Sequence, residues 1–243
     1  MTASAPLPTW SPAAHGALYD LCLGPSHHIG AWLATDDHAG TPWQWLDWAQ
    51  DRVVGQVADL LRLRPGEHVL DIGFGSGAVP LRLAATVGVA VTGCSANPVE
   101  VDAAADLATS SVHFELTGPL LPYSDAAFDA VWVKESVEQL PEARRVLRPG
   151  GRVVITVPVP NLHGLVDAVH DTGLIVEQAR DLGAGPRVGR TWDMWAQLFQ
   201  EHHPALFDRY GAEGIVAMDN GITVLLSVVT GELNCAVVVA RDS

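Results

Sequence analysis

The sequence predicts an α/β protein with a Rossmann-like, doubly wound sheet of seven mostly parallel strands, preceded by an N-terminal helical extension. Three observations lead there. Short apolar runs alternate with amphipathic stretches from residue 67 to residue 181, as expected of parallel strands joined by right-handed helical crossovers. The first of those runs opens directly into a glycine-rich turn, Gly73-Phe-Gly-Ser-Gly77. The 243 residues, 48% apolar and 17% charged, suffice for one large core with an appended segment and exclude a mostly disordered chain.

The elements follow in order. Pro, Ser and Ala crowd residues 1 to 14, a loose lead-in. Thr41 as N-cap, Pro42 at the first helical position and Gln44 three residues after the cap open a helix that places Leu46, Val53, Val57, Leu60 and Leu61 on one face. Pro65 and Gly66 end it. A strand at 67–73 is followed by a helix at 79–87, a strand at 89–93, a helix at 98–109 and a strand at 112–116. The next strand spans 128–133, then a short helix at 141–147, the turn Arg148-Pro-Gly-Gly151 and a fifth strand at 152–158. A helix at 162–172 stops at Gly173, and strands at 174–181 and 233–241 complete the sheet. Between those two, Trp192, Trp195, Leu198 and Phe199 recur at helical spacing, while 215–229 is apolar and fits either state. Two units are expected, a helical segment or lid at 1–55 and the Rossmann-like domain at 56–243.

Charge and cysteine usage narrow the function. Against 14 bases stand 28 acids, a formal net charge of -14, and Lys134 is the only lysine. Such a surface repels a phosphate backbone, so nucleic acid is not an expected partner. No apolar run approaches the ~18 residues that span a bilayer. The first ten residues lack the basic start and apolar core of a secretory signal, so the expectation is a soluble, cytoplasmic protein without a membrane partner. Cys22, Cys94 and Cys235 are far apart, with no metal-ligand spacing, and neither a metal nor a disulfide framework is expected. A homodimer is left open.

In an open α/β sheet the ligand lies beyond the carboxyl ends of the strands, which makes the loop at 73–77 the first candidate. Alone the loop is ambiguous. Gly73, Gly75 and Ala78 satisfy a dinucleotide fingerprint, while Gly73, Gly75 and Gly77 form a tighter G-x-G-x-G. Asp71 opposes a pyrophosphate and favours a cation or ribose hydroxyls. The end of the second strand, Cys94-Ser-Ala-Asn97, lacks the acid that would hold a nicotinamide-side ribose.

The run Val69-Leu-Asp-Ile-Gly-Phe-Gly-Ser-Gly77, then Val91-Thr-Gly-Cys-Ser95, Leu121-Pro-Tyr-Ser-Asp-Ala-Ala-Phe-Asp129 and Arg145-Val-Leu-Arg-Pro-Gly-Gly151, resembles the class I S-adenosylmethionine-dependent methyltransferases. The likeness is to the branch that modifies small molecules in natural-product pathways. Leu18-Tyr-Asp20 and His28-Ile-Gly-Ala-Trp32 resemble its start, so the likeness covers roughly residues 15 to 243. It implies that Asp71, Gly73, Phe74, Gly75, Ser76 and Gly77 contact the amino-acid end of S-adenosylmethionine. It implies ribose and adenine at Ser95, Ala96 and Asn97, Lys134 and Glu135 beneath the methyl group, and Tyr19 closing over them, with S-adenosylhomocysteine as product.

The pattern is broken in places. Gly118 stands where the family has an aspartate for the adenine amino group, and Thr117 or the backbone would have to substitute. The connection after Gln139 is short, and the lid insertion common after the fifth strand is missing at Pro158. The pocket is then either more open or closed by residues 15 to 50 and 185 to 230. Methyl transfer to a hydroxyl needs aligned partners and a base. Glu135, Glu138 and His28 are the candidates, with His27 beside the last. Trp32, Trp45, Trp192 and Trp195 are candidates for an apolar substrate wall, although aromatics at such spacing also form core. The reading is a methyltransferase acting on a small, largely apolar metabolite. The alternatives are a cyclase of the same fold that no longer methylates and a non-catalytic partner of another methyltransferase.

Overall fold

A computed structural model describes residues 30–33, 36, 40–134, 137–181, 186–229 and 234–242. The first helix, α1 (Pro42–Leu61), begins as its residues dictate. The Thr41 hydroxyl accepts the Gln44 backbone N–H at 3.3 Å, and the Gln44 side chain accepts the Thr41 N–H at 3.0 Å, a reciprocal capping box. The chain continues through β1 (His68–Ile72), α2 (Ala78–Val87), β2 (Ala90–Ser95), α3 (Pro98–Ala104), β3 (Val112–Leu116) and β4 (Phe128–Lys134). Then come α4 (Leu140–Val146), β5 (Leu147–Val159), α5 (Leu162–Asp171), β6 (Ile175–Asp181), α6 (Pro186–Val229) and β7 (Asn234–Arg241).

The seven strands form one sheet in the order β3-β2-β1-β4-β5-β7-β6. The first five run parallel, and β7 lies antiparallel between β5 and β6. Because side chains alternate along a strand, each central strand feeds two cores. Leu70, Ile72, Val131, Val133, Val153 and Ile155 pack under α4 and α5. Val69, Val91, Ala130, Trp132, Val154 and Val239 pack under α1 and α2. α1 contributes Val54, Val57, Ala58 and Leu61 to that second core.

Three elements differ from their expected form. α3 stops at Ala104 and closes in a single 3₁₀ turn, Ala105–Leu107. β5 starts at Leu147, pairing with Phe128 before a register shift brings Arg152 opposite Ala130, so the expected turn is absorbed as an irregularity within the strand. The ambiguous stretch at 215–229 is helical and belongs to α6, which is two helices joined at Gly211 (φ 65, ψ -173). Among the described residues no helix is long and apolar enough to cross a membrane.

Candidate functional site at the junction of β1 and β4

Strand order reverses where β1 meets β4, and such a switch point opens a crevice at the carboxyl ends of the strands. The β1–α2 loop lies on one side of it. Gly73, Gly75 and Gly77 all have positive φ, at 81, 65 and 84°. At Gly73 a Cβ would come within 2.8 Å of the Lys134 carbonyl oxygen, and at Gly77 within 3.0 Å of the Phe114 ring. At Gly73 and Gly77 side chains are thus excluded twice, by conformation and by space, and the bend packs tightly against the end of β4 and the Phe114 ring. The Gly73 N–H donates to the Cys94 carbonyl at 2.8 Å, tying the bend to β2. Phe74 turns inward, 1% exposed, against Phe114 with ring centroids 4.8 Å apart. It supports the loop from beneath.

Asp71 is fully buried, and its Oδ2 accepts from Lys134 Nζ at 2.8 Å. Its Oδ1 has no hydrogen-bond partner among the described residues. Burial pushes this carboxyl above the usual range, and the Lys134 ammonium opposes the shift. Lys134 lies 4.4 Å from the Trp132 ring centroid, and that indole donates to Thr156 Oγ1 at 2.8 Å. The pair was not legible in the sequence, because the partners stand 63 residues apart.

At the end of β2 the Ser95 hydroxyl donates to Glu100 at 2.6 Å and accepts the Asn97 N–H at 3.0 Å. Asn97 caps α3 through its Oδ1, which accepts the Val99 N–H at 3.0 Å. Ala96 is exposed beside them. Glu100 thereby supplies at this strand end the carboxylate that residues 94 to 97 lack. The Thr117 N–H donates to the Ser95 carbonyl at 2.9 Å, and Thr117 is buried. Gly118 next to it is exposed, and a Cβ there would meet nothing within 4 Å. The Cys94 thiol is pushed up to about 12, chiefly by burial, against a Thr117 hydrogen bond, so it is no nucleophile.

Tyr19, His27, His28 and Glu135 lie outside the described residues. Glu138 is exposed on the short helix Val137–Gln139 that follows β4. Its neighbour Gln139 was not singled out from sequence, yet its Oε1 is buried without a partner among the described residues. Trp32 is 3% exposed, donates through Nε1 to Thr191 Oγ1 at 2.7 Å and stacks on Trp45 with centroids 5.9 Å apart. The same Thr191 oxygen accepts the Gly30 N–H at 3.2 Å, pinning residues 30 to 32 to α6. Trp195, 6% exposed, packs with Leu46 and Leu198, and Trp192 lies against that cluster. Trp32, Trp192 and Trp195 thus pack in the seam between α1 and α6, where the Trp195 Nε1 is buried without a hydrogen-bond partner among the described residues.

Residues 70–155 match the model of a methyltransferase domain. This match bears out the resemblance to the class I S-adenosylmethionine-dependent methyltransferases and the cofactor that the sequence motifs imply. It is 37% identical over 184 residues to 27-O-demethylrifamycin SV methyltransferase of Amycolatopsis mediterranei, covering 69% of this chain and 62% of that protein. It is 35% identical over 120 residues to methyltransferase GfsG of Streptomyces halstedii, covering 44% of this chain and 43% of that one. The chain thus spans about two-fifths to three-fifths of the length of these curated relatives. Among solved structures, the [4+2]-cyclase SpnF superposes with a TM-score of 0.74 at 26% identity, over 94% of each chain.

The residues present suit the family's cofactor. A cradle of bare backbone and an unpartnered buried carboxylate oxygen offer a surface and an acceptor for a cationic amino-acid end.

Proposed function

We propose that the protein transfers the methyl group of S-adenosylmethionine to a small, largely apolar metabolite of a natural-product pathway. The observation that carries this reading is the glycine cradle at the β1–β4 switch point with the buried Asp71 at its root, in a chain 37% identical to a methyltransferase named for 27-O-demethylrifamycin SV. When bound, the cofactor supplies an electrophilic methyl on a sulfonium. Asp71 and the backbone of residues 73 to 77 hold its amino-acid end, while Ser95, Ala96, Asn97 and Glu100 receive the ribose and Thr117 and Gly118 border the adenine. Glu135, Glu138 and His28 are the groups suited to take a proton from an acceptor hydroxyl, and Gln139 Oε1 offers that hydroxyl an acceptor. Tyr19 and residues 1 to 55 act as the cover, and 56 to 243 as the cofactor-binding domain.

The likeness to a [4+2]-cyclase at 26% identity favours one second reading, ring closure on the same fold. Calorimetry with S-adenosylmethionine, followed by mass spectrometry of acceptor mixtures, separates the two. Saturable binding with S-adenosylhomocysteine formation supports transfer, and saturable binding with an isomerised, unmethylated product supports the cyclase. Gly75→Val places a β-branched residue at φ 65 in the cradle and is expected to abolish binding while circular dichroism is retained. Unaltered affinity in that variant would remove the cofactor from this loop.

A further inference from the structure

Among the described residues Asp71 is the only fully buried acid of the crevice, and its charge is already answered from within the fold. The Lys134 side chain is 10% exposed, held between the Asp71 carboxylate at 2.8 Å and the Trp132 ring at 4.4 Å. The Trp132–Thr156 hydrogen bond fixes that ring in turn. The ammonium therefore sits in a built position, and the carboxylate and lysine together carry no net charge. Resting on the cofactor placement above, the donor S-adenosylmethionine differs from its product S-adenosylhomocysteine by one positive charge at sulfur. A lone buried carboxylate favours the donor. One unit charge within roughly 10 Å, at an effective dielectric of about 20, alters the binding of a cation by about tenfold or more.

We propose that Lys134 sets donor-versus-product specificity: by neutralising Asp71 it removes most of the preference this site would otherwise have for the sulfonium over the thioether. Binding of both ligands then rests on the glycine backbone, the Asp71 Oδ1 acceptor for their common ammonium and the ribose contacts, which do not distinguish them. The opposing pull explains why a lysine can stand next to a cationic ligand at all, since its partner offsets the repulsion. It also gives the sole lysine of the chain a role other than surface solubility.

The test is calorimetric and needs no turnover: dissociation constants for S-adenosylmethionine and S-adenosylhomocysteine, and their ratio, in wild type, Asp71→Asn and Asp71→Asn/Lys134→Met. Asp71→Asn leaves the lysine unopposed, and the ratio is expected to move at least tenfold toward the product. The double variant is neutral again, like the wild type, and its ratio is expected to return to within about threefold of wild type. If the double variant stays as product-selective as the single one, the lysine's charge is not felt and the proposal fails. Should Asp71→Asn not fold, the double variant decides alone, because it leaves no buried charge without its partner. A wild-type-like ratio there supports the proposal, and a tenfold move toward product overturns it. Failure of the wild type to bind either compound would instead overturn the cofactor placement itself.

Discussion

Replacing Arg145 by methionine is expected to loosen the β3–β4 connection from α4. Arg145 on α4 donates to the Tyr123 carbonyl at 2.8 Å, the Leu121 carbonyl at 3.0 Å and both Glu142 oxygens at 2.9 and 2.7 Å. Glu142 in turn accepts the Leu121 N–H at 2.8 Å, so both polar backbone atoms of Leu121 hang on α4. The exposed contact to Asp125 adds little. Two carbonyls losing a charged donor would cost ~1.5 to 3 kcal/mol each. The arginine side chain is 32% exposed, so water replaces part of each bond and about 2 to 3 kcal/mol in total is expected. With a urea m-value of about 2 to 3 kcal/mol/M, the unfolding midpoint falls by about 1 M at unchanged m. Arg145→Lys recovers less than half, because an ammonium cannot fork between two carbonyls and a carboxylate. The Arg145 hydrogen bond lowers the Glu142 carboxyl, against burial and with the help of the Leu121 N–H. A depressed folded value stabilises the protein above the unfolded value, about 4.3, and that stabilisation is lost as the pH falls through the folded one. The gap between wild type and Arg145→Met should therefore narrow below about pH 4. A midpoint within about 0.2 M of wild type would refute this account of the clamp.

Two further outcomes can be measured directly. Gly118→Asp has open space for its Cβ and is expected to tighten S-adenosylmethionine binding about tenfold by supplying an acceptor at the adenine end; unchanged or weaker affinity would show that residue 118 does not face the adenine. His68 is half-buried, and burial lowers its pKa against the pull of Asp129, so the unfolded chain binds a proton more readily. Stability should rise with pH between the folded value and about 6.5, and thermal melts of His68→Gln should lose that slope; parallel slopes in the two proteins would contradict it.

What the sequence revealed was local or periodic. The capping box of α1 needs only Thr41 and Gln44, and both halves of it form. β3 spans the residues its alternation indicated, and the glycine loop announces itself because positive φ at three positions leaves few other residue choices. β5 begins before the turn-like Arg148-Pro-Gly-Gly151 because Leu147 pairs with Phe128, a partner no local pattern reveals. The stretch at 215–229 is apolar without a clear period, so its helicity could not be read. At the site, the missing pieces are all pairings across distance. Lys134 meets Asp71 across 63 residues, Trp32 meets Thr191 across 159, and Glu100 reaches back to Ser95 only because α3 turns there. Aromatic spacing alone could not separate a substrate wall from the seam between α1 and α6, in which Trp32 and Trp195 are buried.

The charge balance at the switch point bears on the two readings of function. A methyltransferase that binds donor and product alike must rely on product dilution or on movement of its cover to turn over, since the site itself gives the spent thioether no reason to leave. A cyclase has no such problem, because a cofactor that is never consumed serves it equally well in either form. The Asp71–Lys134 pair is therefore compatible with both chemistries but predicts a signature for each. Under transfer, S-adenosylhomocysteine inhibits at concentrations near the donor's own dissociation constant. Under ring closure, S-adenosylhomocysteine supports the reaction as well as the donor does. An activity that S-adenosylhomocysteine neither inhibits nor supports would fit neither reading and would place the reacting centre away from the β1–β4 crevice.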